Sequence, residues 1–140
     1  EKGIRNFIVS ETINHTKFEQ ANFIEVKNAV RALQQIAAFH RKQFNIPVIG
    51  ITGSNGKTII KEWLYQLLQD NYNIVRSPKS YNSQVGVPLS VWQMTVENNL
   101  AIFEAGISQP DEMEHLEKVM QPTIGIFTNI GDAHAEGFLN

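Results

Sequence analysis

A short glycine loop between two apolar segments constrains the fold of this chain more than any other feature of its sequence. Residues 47–52 are predicted to form a buried strand. Residues 57–69 are predicted to form a helix, one face of which carries the apolar side chains Ile60, Trp63, Leu64, Leu67 and Leu68. Between them lies the run Gly53-Ser54-Asn55-Gly56-Lys57-Thr58. A strand, a glycine loop and a helix in direct succession predict one unit of an α/β fold.

The rest of the chain continues this alternation. Further strands are predicted over residues 72–76, 100–103 and 123–128, and further helices over residues 28–44 and from Pro88 and Pro110 onward. This order predicts an α/β fold with a mostly parallel sheet and flanking helices. The first 27 residues do not follow it, since they hold only two short apolar runs, residues 7–10 and 23–26. We expect them to be the remnant of a preceding domain.

Composition excludes several classes of protein. The net charge of −2 and the pI near 6.1 give no basic footprint for nucleic acid. The absence of cysteine excludes disulfides and thiolate chemistry. No apolar run approaches the ~18 residues that a membrane span needs. We expect a piece of a longer protein, because the chain lacks an initiator Met and stops directly after Gly137-Phe138-Leu139-Asn140. We also expect the protein to be a monomer and to be located in the cytoplasm.

The glycine loop predicts a phosphate site. Glycines let successive N–H groups point at phosphate oxygens, and the start of the following helix adds a partial positive charge. Lys57 is expected to reach the β- and γ-phosphates, and the Thr58 hydroxyl to ligate Mg²⁺. The pattern is shorter than the eight-residue phosphate-loop motif because Ile51 stands where its first glycine would be. A plain glycine turn with a surface lysine is therefore the alternative. The candidate nucleotide-binding residues are Thr52, Gly53, Ser54, Asn55, Gly56, Lys57 and Thr58.

Three further candidates follow other predicted strands, where ligands of open α/β sheets collect. Glu104 ends the strand over residues 100–103 and is a candidate Mg²⁺ ligand, the alternative being an acid that faces solvent. His134 lies in a glycine-bounded polar loop and is a candidate metal ligand, the alternative being a structural histidine. Asn82 is a candidate amide donor to phosphate or substrate, the alternative being a turn residue. Of the other histidines, His40 is predicted to be in the core and His115 to be solvated, and His15 has no distinguishing context.

Four segments together resemble the central ATPase domain of the Mur ligases. They are Ile51-Thr52-Gly53-Ser54-Asn55-Gly56-Lys57-Thr58, Tyr81-Asn82-Ser83-Gln84-Val85-Gly86-Val87-Pro88, Glu104-Ala105-Gly106 and Asn129-Ile130-Gly131-Asp132-Ala133-His134-Ala135-Glu136-Gly137-Phe138. The last segment and the Asn82 loop most resemble the family member that joins D-Ala-D-Ala to UDP-N-acetylmuramoyl-tripeptide. The resemblance covers residues 28–140 well. It implies that these are the first part of the central domain, and that residues 1–27 are the tail of an N-terminal UDP-sugar-binding domain.

The resemblance also implies a reaction and a set of roles. In the family, the tripeptide carboxylate attacks the γ-phosphate of ATP, and the amine of D-Ala-D-Ala then displaces phosphate from the acyl phosphate. Lys57 would be the γ-phosphate ligand, Thr58 and Glu104 the ligands of a first Mg²⁺, and His134 a ligand of a second. Asn82 would lie near the γ-phosphate, with Gln84 as the alternative. The family's carbamylated lysine and its closing C-terminal domain would lie beyond residue 140, so this chain alone is expected to be inactive.

Two other functions fit the same residues less closely. Folylpolyglutamate synthase shares this ATPase core, although the Ala-His-Ala-Glu-Gly-Phe segment (residues 133–138) favours the Mur ligases. A regulatory module could also hold ATP without ligation, although Glu104 and His134 together favour a ligase. Some bacterial members of the family are fused to an alanine racemase, and these residues leave that arrangement open.

Overall fold

A computed structural model of the protein describes residues 3–106 and 111–131. The strands are β1 (Asn6–Val9), β2 (Asn22–Glu25), β3 (Val48–Thr52), β4 (Ile74–Arg76), β5 (Leu100–Glu104) and β6 (Ile124–Phe127). The α-helices are α1 (Ala29–Arg41), α2 (Lys57–Leu68), α3 (Gly86–Val91) and α4 (Glu112–Met120), and a short 3-10 helix spans His15–Lys17. Within these described ranges, no helix is long and apolar enough to cross a membrane.

The central sheet has the strand order β4-β5-β3-β6, and every neighbouring pair in it is parallel. This confirms the predicted α/β fold with a parallel sheet. Because the strands are parallel, the loops that follow them meet at one edge, which we call the carboxyl edge. The loops that precede them meet at the opposite, amino edge.

Alternation along β5 divides its side chains between two cores. Ala101 and Phe103 face the layer of α1, α3 and α4. Leu100 and Ile102 face the other side of the sheet, where apolar side chains of α2 cover them. Glu104 is the next residue in the alternation of Leu100 and Ile102, so the pleat directs its carboxylate toward α2. An acid is thus placed at the end of an apolar row, beside the helix that follows the glycine loop.

Helix α2 buries a narrower apolar face than its sequence predicts. Ile60, Leu64 and Leu68 pack against the sheet as expected. Trp63 and Leu67 were expected on the same face, and this is wrong, since they are 63% and 74% exposed. Trp63 and Leu67 are each rotated by about 100° around the helix axis from the next residue, Leu64 or Leu68. The sheet covers the row of Ile60, Leu64 and Leu68 and leaves the row of Trp63 and Leu67 exposed.

Several element boundaries differ from the predicted ones by a few residues. Helix α3 begins at Gly86 and places Pro88 within its first turn, where a missing N–H breaks no intrahelical bond. Strand β4 begins at Ile74 because the N–H of Tyr72 still donates to Leu68 O at the end of α2. Helix α4 begins at Glu112 after Asp111, whose φ is +65°, and Pro110 lies outside the described residues.

The N-terminal segment forms a separate two-stranded sheet. β1 and β2 are parallel, and Phe7 stacks on Phe23 with ring centroids 5.5 Å apart. Both strands are confirmed to within one residue of their predicted positions. The assignment of residues 1–27 to another domain stays a prediction.

Two histidines that the sequence ranked below His134 are both half-buried. His40 is half-buried between the rings of Phe44 and Trp92, and its Nε2 lies 3.1 Å from Met94 O. The expected core position is therefore partly realised. His115 is half-buried on α4, beside a groove shared with α1, rather than fully solvated.

Candidate nucleotide site

The glycine loop depends on two residues with left-handed backbone angles. Gly53 has φ of +128° and Gly56 has φ of +83°. A Cβ on Gly53 would lie 2.1 Å from Thr128 Oγ1, so only glycine fits. A Cβ on Gly56 would meet nothing within 4 Å, so its glycine is required only by the backbone turn that starts α2.

The loop is fastened to the residues that follow β6. Ser54 N donates to Asn129 O at 3.0 Å, and Asn55 N donates to Asn129 Oδ1 at 2.9 Å. Thr128 Oγ1 donates to Asn55 O at 2.6 Å, and Thr128 N donates to Thr52 O at 2.9 Å. Sequence reasoning missed this role of Thr128 and Asn129, although a polar pair directly after an apolar strand was the signal for it.

This fastening changes which amides can face a phosphate. The N–H groups of Ser54 and Asn55 already have acceptors on Asn129. The Ser54 hydroxyl also exchanges hydrogen bonds with the backbone of Gly131, at 2.9 and 3.1 Å. The first N–H groups of a helix have no intrahelical acceptors. The amides suited to phosphate are therefore those at the start of α2, next to Lys57 and Thr58.

Lys57 lies folded across its own loop. Its Nζ donates to Gly53 O and, at 3.3 Å, to Ser54 O. The side chain is half-buried and has no carboxylate among these partners. Among the described residues this ammonium is held by neutral carbonyls, and a phosphate is a stronger hydrogen-bond partner than either carbonyl.

Glu104 and Thr58 place two side-chain oxygens next to each other at the carboxyl edge. The Thr58 hydroxyl donates to Glu104 Oε2 at 3.0 Å, and the Glu104 side chain is completely buried. The alternative that Glu104 faces solvent is wrong, because the pleat directs it under α2. Oxygens on adjacent corners of a Mg²⁺ octahedron, about 2.1 Å from the ion, are about 3.0 Å apart. The pair has the spacing and the donor type that Mg²⁺ requires.

A buried lysine that sequence reasoning missed completes this cluster. Lys61 has no exposed surface, and its Nζ lies 3.0 Å from Glu104 Oε1. The approach does not meet hydrogen-bonding geometry, so Oε1 accepts no hydrogen bond within the described region. The available signal was its spacing, since Lys61 comes three residues after Thr58 and shares its side of α2.

Asn82 and Gln84, the alternatives for one role, occupy different surroundings. Asn82 O accepts from Gly106 N at 2.7 Å, and a Cβ on Gly106 would lie 3.0 Å from Asn82 Oδ1. Asn82 is thus close to the loop that follows Glu104. The carboxamide of Gln84 instead donates to Glu112 O at 3.2 Å and accepts from Gln34 Nε2 at 2.8 Å. This side chain joins α1 to the start of α4.

His134 lies outside the described residues, so its position at the site stays a prediction. Within residues 3–106 and 111–131, no cluster of three or more His, Cys, Asp or Glu side chains could hold a metal ion. The described residues therefore offer no ligands for a second metal beyond the oxygen pair of Thr58 and Glu104, whose role as metal ligands stays a prediction.

A parallel α/β sheet with a glycine loop before a helix and an acid at the next strand end defines a domain of the phosphate-loop class. Residues 51–140 match the family model of the Mur ligase middle domain. The chain belongs to the Mur ligase family.

Individual relatives agree with this assignment. The UDP-N-acetylmuramoyl-tripeptide--D-alanyl-D-alanine ligase of Treponema pallidum is 39% identical over 112 residues, which cover 79% of this chain and 24% of that protein. The enzyme of the same name from Borreliella burgdorferi is 38% identical over 116 residues, covering 83% and 25%. This chain thus spans about a quarter of the length of these curated relatives.

Solved structures show the same fold. The crystal structure of MurF from Acinetobacter baumannii superposes with a TM-score of 0.85 at 30% identity, covering 94% of this chain and 28% of that one. The structure of MurF ligase from Thermotoga maritima in complex with ADP has a TM-score of 0.80 at 25% identity, covering 95% and 37%.

Proposed function

We propose that this chain carries the ATP and Mg²⁺ site of a ligase that joins D-Ala-D-Ala to UDP-N-acetylmuramoyl-tripeptide. The observation that carries the proposal is the oxygen pair of Thr58 and Glu104, 3.0 Å apart beside the first turn of α2. The names of the relatives supply the two substrates. The Thermotoga structure is a complex with ADP, and this supports a nucleotide at the same fold.

In this proposal, Thr58 and Glu104 hold the Mg²⁺, and Lys57 binds the γ-phosphate. The ion, when bound, neutralises charge on the β- and γ-phosphates. Lys57 leaves Gly53 O and Ser54 O and brings its ammonium to the transferring phosphoryl group. The amides at the start of α2 orient the phosphate chain. Asn82, held against Gly106, contributes an amide near the γ-phosphate.

The reaction needs no protein nucleophile. A carboxylate oxygen of the tripeptide attacks the γ-phosphorus, the bond to the bridging oxygen breaks, and ADP leaves with that electron pair. The amine of D-Ala-D-Ala then attacks the acyl carbon, and phosphate leaves as the amine loses a proton. The carboxylate and the triphosphate are both negatively charged and repel each other. Lys57 therefore stabilises their approach by neutralising part of the charge on the γ-phosphate.

Other parts of the proposed enzyme lie outside the described residues. His134 is proposed as a ligand of a second metal. The acceptor contacts, a carbamylated lysine and a closing domain are assigned to sequence after residue 140. Both substrates are precursors of the cell wall that are made in the cytoplasm, so we place a monomeric enzyme there and expect this chain alone to be inactive.

The test is a phosphate-release assay with the full-length protein. We expect release from ATP only when UDP-N-acetylmuramoyl-tripeptide and D-Ala-D-Ala are both present, with one ligated product per phosphate. Folate and glutamate in place of these substrates should give none. Nucleotide binding without substrate-dependent release would instead favour a regulatory ATP-binding module, and turnover with folate would favour folylpolyglutamate synthase.

A further inference from the structure

Lys61 is a fully buried cation to which the proposed reaction gives no task. Its Nζ lies 3.0 Å from Glu104 Oε1 and 3.2 Å from Oε1 of the half-exposed Glu62. It also donates to Ser77 O at 2.9 Å and to Lys79 O. Burying an ammonium costs several kcal/mol even after relaxation, on the order of the attraction that a good partner returns. A cation in this position calls for an explanation beyond packing.

We propose that Lys61 is a positioning residue for the metal carboxylate. Its ammonium holds Oε1 of Glu104, and this leaves Oε2 beside the Thr58 hydroxyl, where Mg²⁺ is proposed to bind. The inference deepens the proposed function and rests on its metal site. Lys61 does not touch nucleotide or metal in this arrangement, so it acts only through Glu104.

The geometry gives each oxygen of Glu104 a separate neighbour. The terminal torsion of a glutamate is broad and nearly two-fold, so an unsupported carboxylate can rotate freely. With a cation at Oε1 and a hydroxyl at Oε2, any rotation short of a half-turn would remove both contacts, and a half-turn would only exchange the two equivalent oxygens. The carboxylate is therefore already oriented when the metal binds. Residues that contact a metal ligand from behind commonly orient it in this way.

The cation itself is held in place by backbone. An ammonium has three donors, and Ser77 O and Lys79 O accept hydrogen bonds from two of them. The same short segment also fixes the end of β5, because Glu104 N donates to Ser77 Oγ at 3.1 Å. Lys61 thus connects α2 to the loop after β4 and to the last residue of β5, and its position does not depend on the carboxylate alone.

The experiment measures metal affinity in the full-length protein, with Mn²⁺ and a non-hydrolysable ATP analogue followed by electron paramagnetic resonance. We expect Lys61→Met to weaken Mn²⁺ binding about 10–100-fold, the usual loss when a partner behind a metal ligand is removed. Binding of the analogue without metal should be unchanged. Lys61→Gln, which retains a donor for Ser77 O but no charge, should show the same loss and serves if Lys61→Met does not fold.

A double-mutant cycle separates positioning from general structure. Glu104→Gln alone should weaken Mn²⁺ binding, and adding Lys61→Met to it should cause no further loss, because Lys61 acts through the missing carboxylate. The double variant should also unfold at higher denaturant than Lys61→Met alone, because no buried carboxylate is left unpaired.

Arg41→Met is the matched control, since Arg41 is also buried and donates to backbone carbonyls. Its partners among the described residues lie at the amino edge of the sheet and do not include Glu104. It should leave Mn²⁺ affinity unchanged. Unchanged Mn²⁺ affinity in a folded Lys61 variant, a further loss in the Glu104→Gln background, or an equal loss in Arg41→Met would each overturn the role of Lys61. A wild-type protein that binds Mn²⁺ and nucleotide but does not ligate would overturn only the proposed reaction.

Discussion

Two buried cations at opposite edges of the central sheet have different partners. Arg41 is 6% exposed at the amino edge and donates to Met120 O at 2.8 Å, Phe44 O at 2.7 Å and Gln121 O at 3.2 Å. Lys61 is completely buried at the carboxyl edge and lies beside the carboxylate of Glu104. The first cation meets only neutral carbonyls, and the second meets an acid.

This difference in partners assigns a structural role to Arg41 and a functional role to Lys61. A guanidinium has five donors in a planar fork, and Arg41 uses them to satisfy carbonyls at the ends of α1 and α4. Burial lowers the pKa of Arg41, but the group stays charged and stabilises both helix ends. A buried Lys–Glu pair gives little net stability, since each charge loses its hydration. Its value at the carboxyl edge lies in the orientation of the acid.

The largest expected effect is that of Lys57→Ala at the carboxyl edge. Turnover of the full-length enzyme should fall by about 10²–10³-fold, the usual cost of one preorganised contact to developing charge. Stability should hardly change, because the partners of Lys57 within residues 3–106 and 111–131 are two carbonyls of its own loop. Steady-state kinetics and denaturant unfolding measure the two effects. The exposed Lys42, replaced by alanine, is the control, and unchanged turnover of Lys57→Ala would show that the wrong loop was chosen.

Gly53→Ala tests how firmly the loop is fastened to the end of β6. A left-handed backbone costs a side chain about 1–2 kcal/mol, and the clash with Thr128 Oγ1 adds about 1–3 kcal/mol of overpacking. Gly56→Ala has the strain without the clash and is the matched control. Denaturant unfolding without nucleotide should therefore rank Gly53→Ala below Gly56→Ala. Equal stability of the two variants would mean that the loop moves freely from Thr128.

Arg41→Met, at the amino edge, should lower stability without affecting nucleotide binding, the opposite of what is expected for Lys57→Ala. We expect a loss of about 1–3 kcal/mol in the free energy of unfolding, because two carbonyls at the end of α4 and one in the loop after α1 lose their charged donor. Nucleotide affinity, measured by isothermal titration calorimetry, should be unchanged. A weakened nucleotide affinity at full stability would break the contrast between the two edges.

Much of the fold follows from sequence because local pattern and burial agree. The apolar run of β3, the alternation of helices and strands, and the glycine loop each predict their elements to within a few residues. The error on α2 has one cause. The pattern of Ile60, Trp63, Leu64, Leu67 and Leu68 describes a wide apolar stripe, and the sheet covers only one side of it. A sequence shows which side chains are apolar, but not which of them meet a neighbour.

The candidate site divides in the same way. The sequence by itself determined the chemistry of Lys57, Thr58 and Glu104, since a glycine loop before a helix and an acid after a strand are local features. Tertiary structure alone decided that Glu104 is buried 3.0 Å from Thr58, that Asn129 occupies the amides of the loop, and that Lys61 stands behind the carboxylate. These contacts join residues that are 43 to 75 positions apart in the sequence, and the packing of parallel strands against each other and against α2 brings them to one edge.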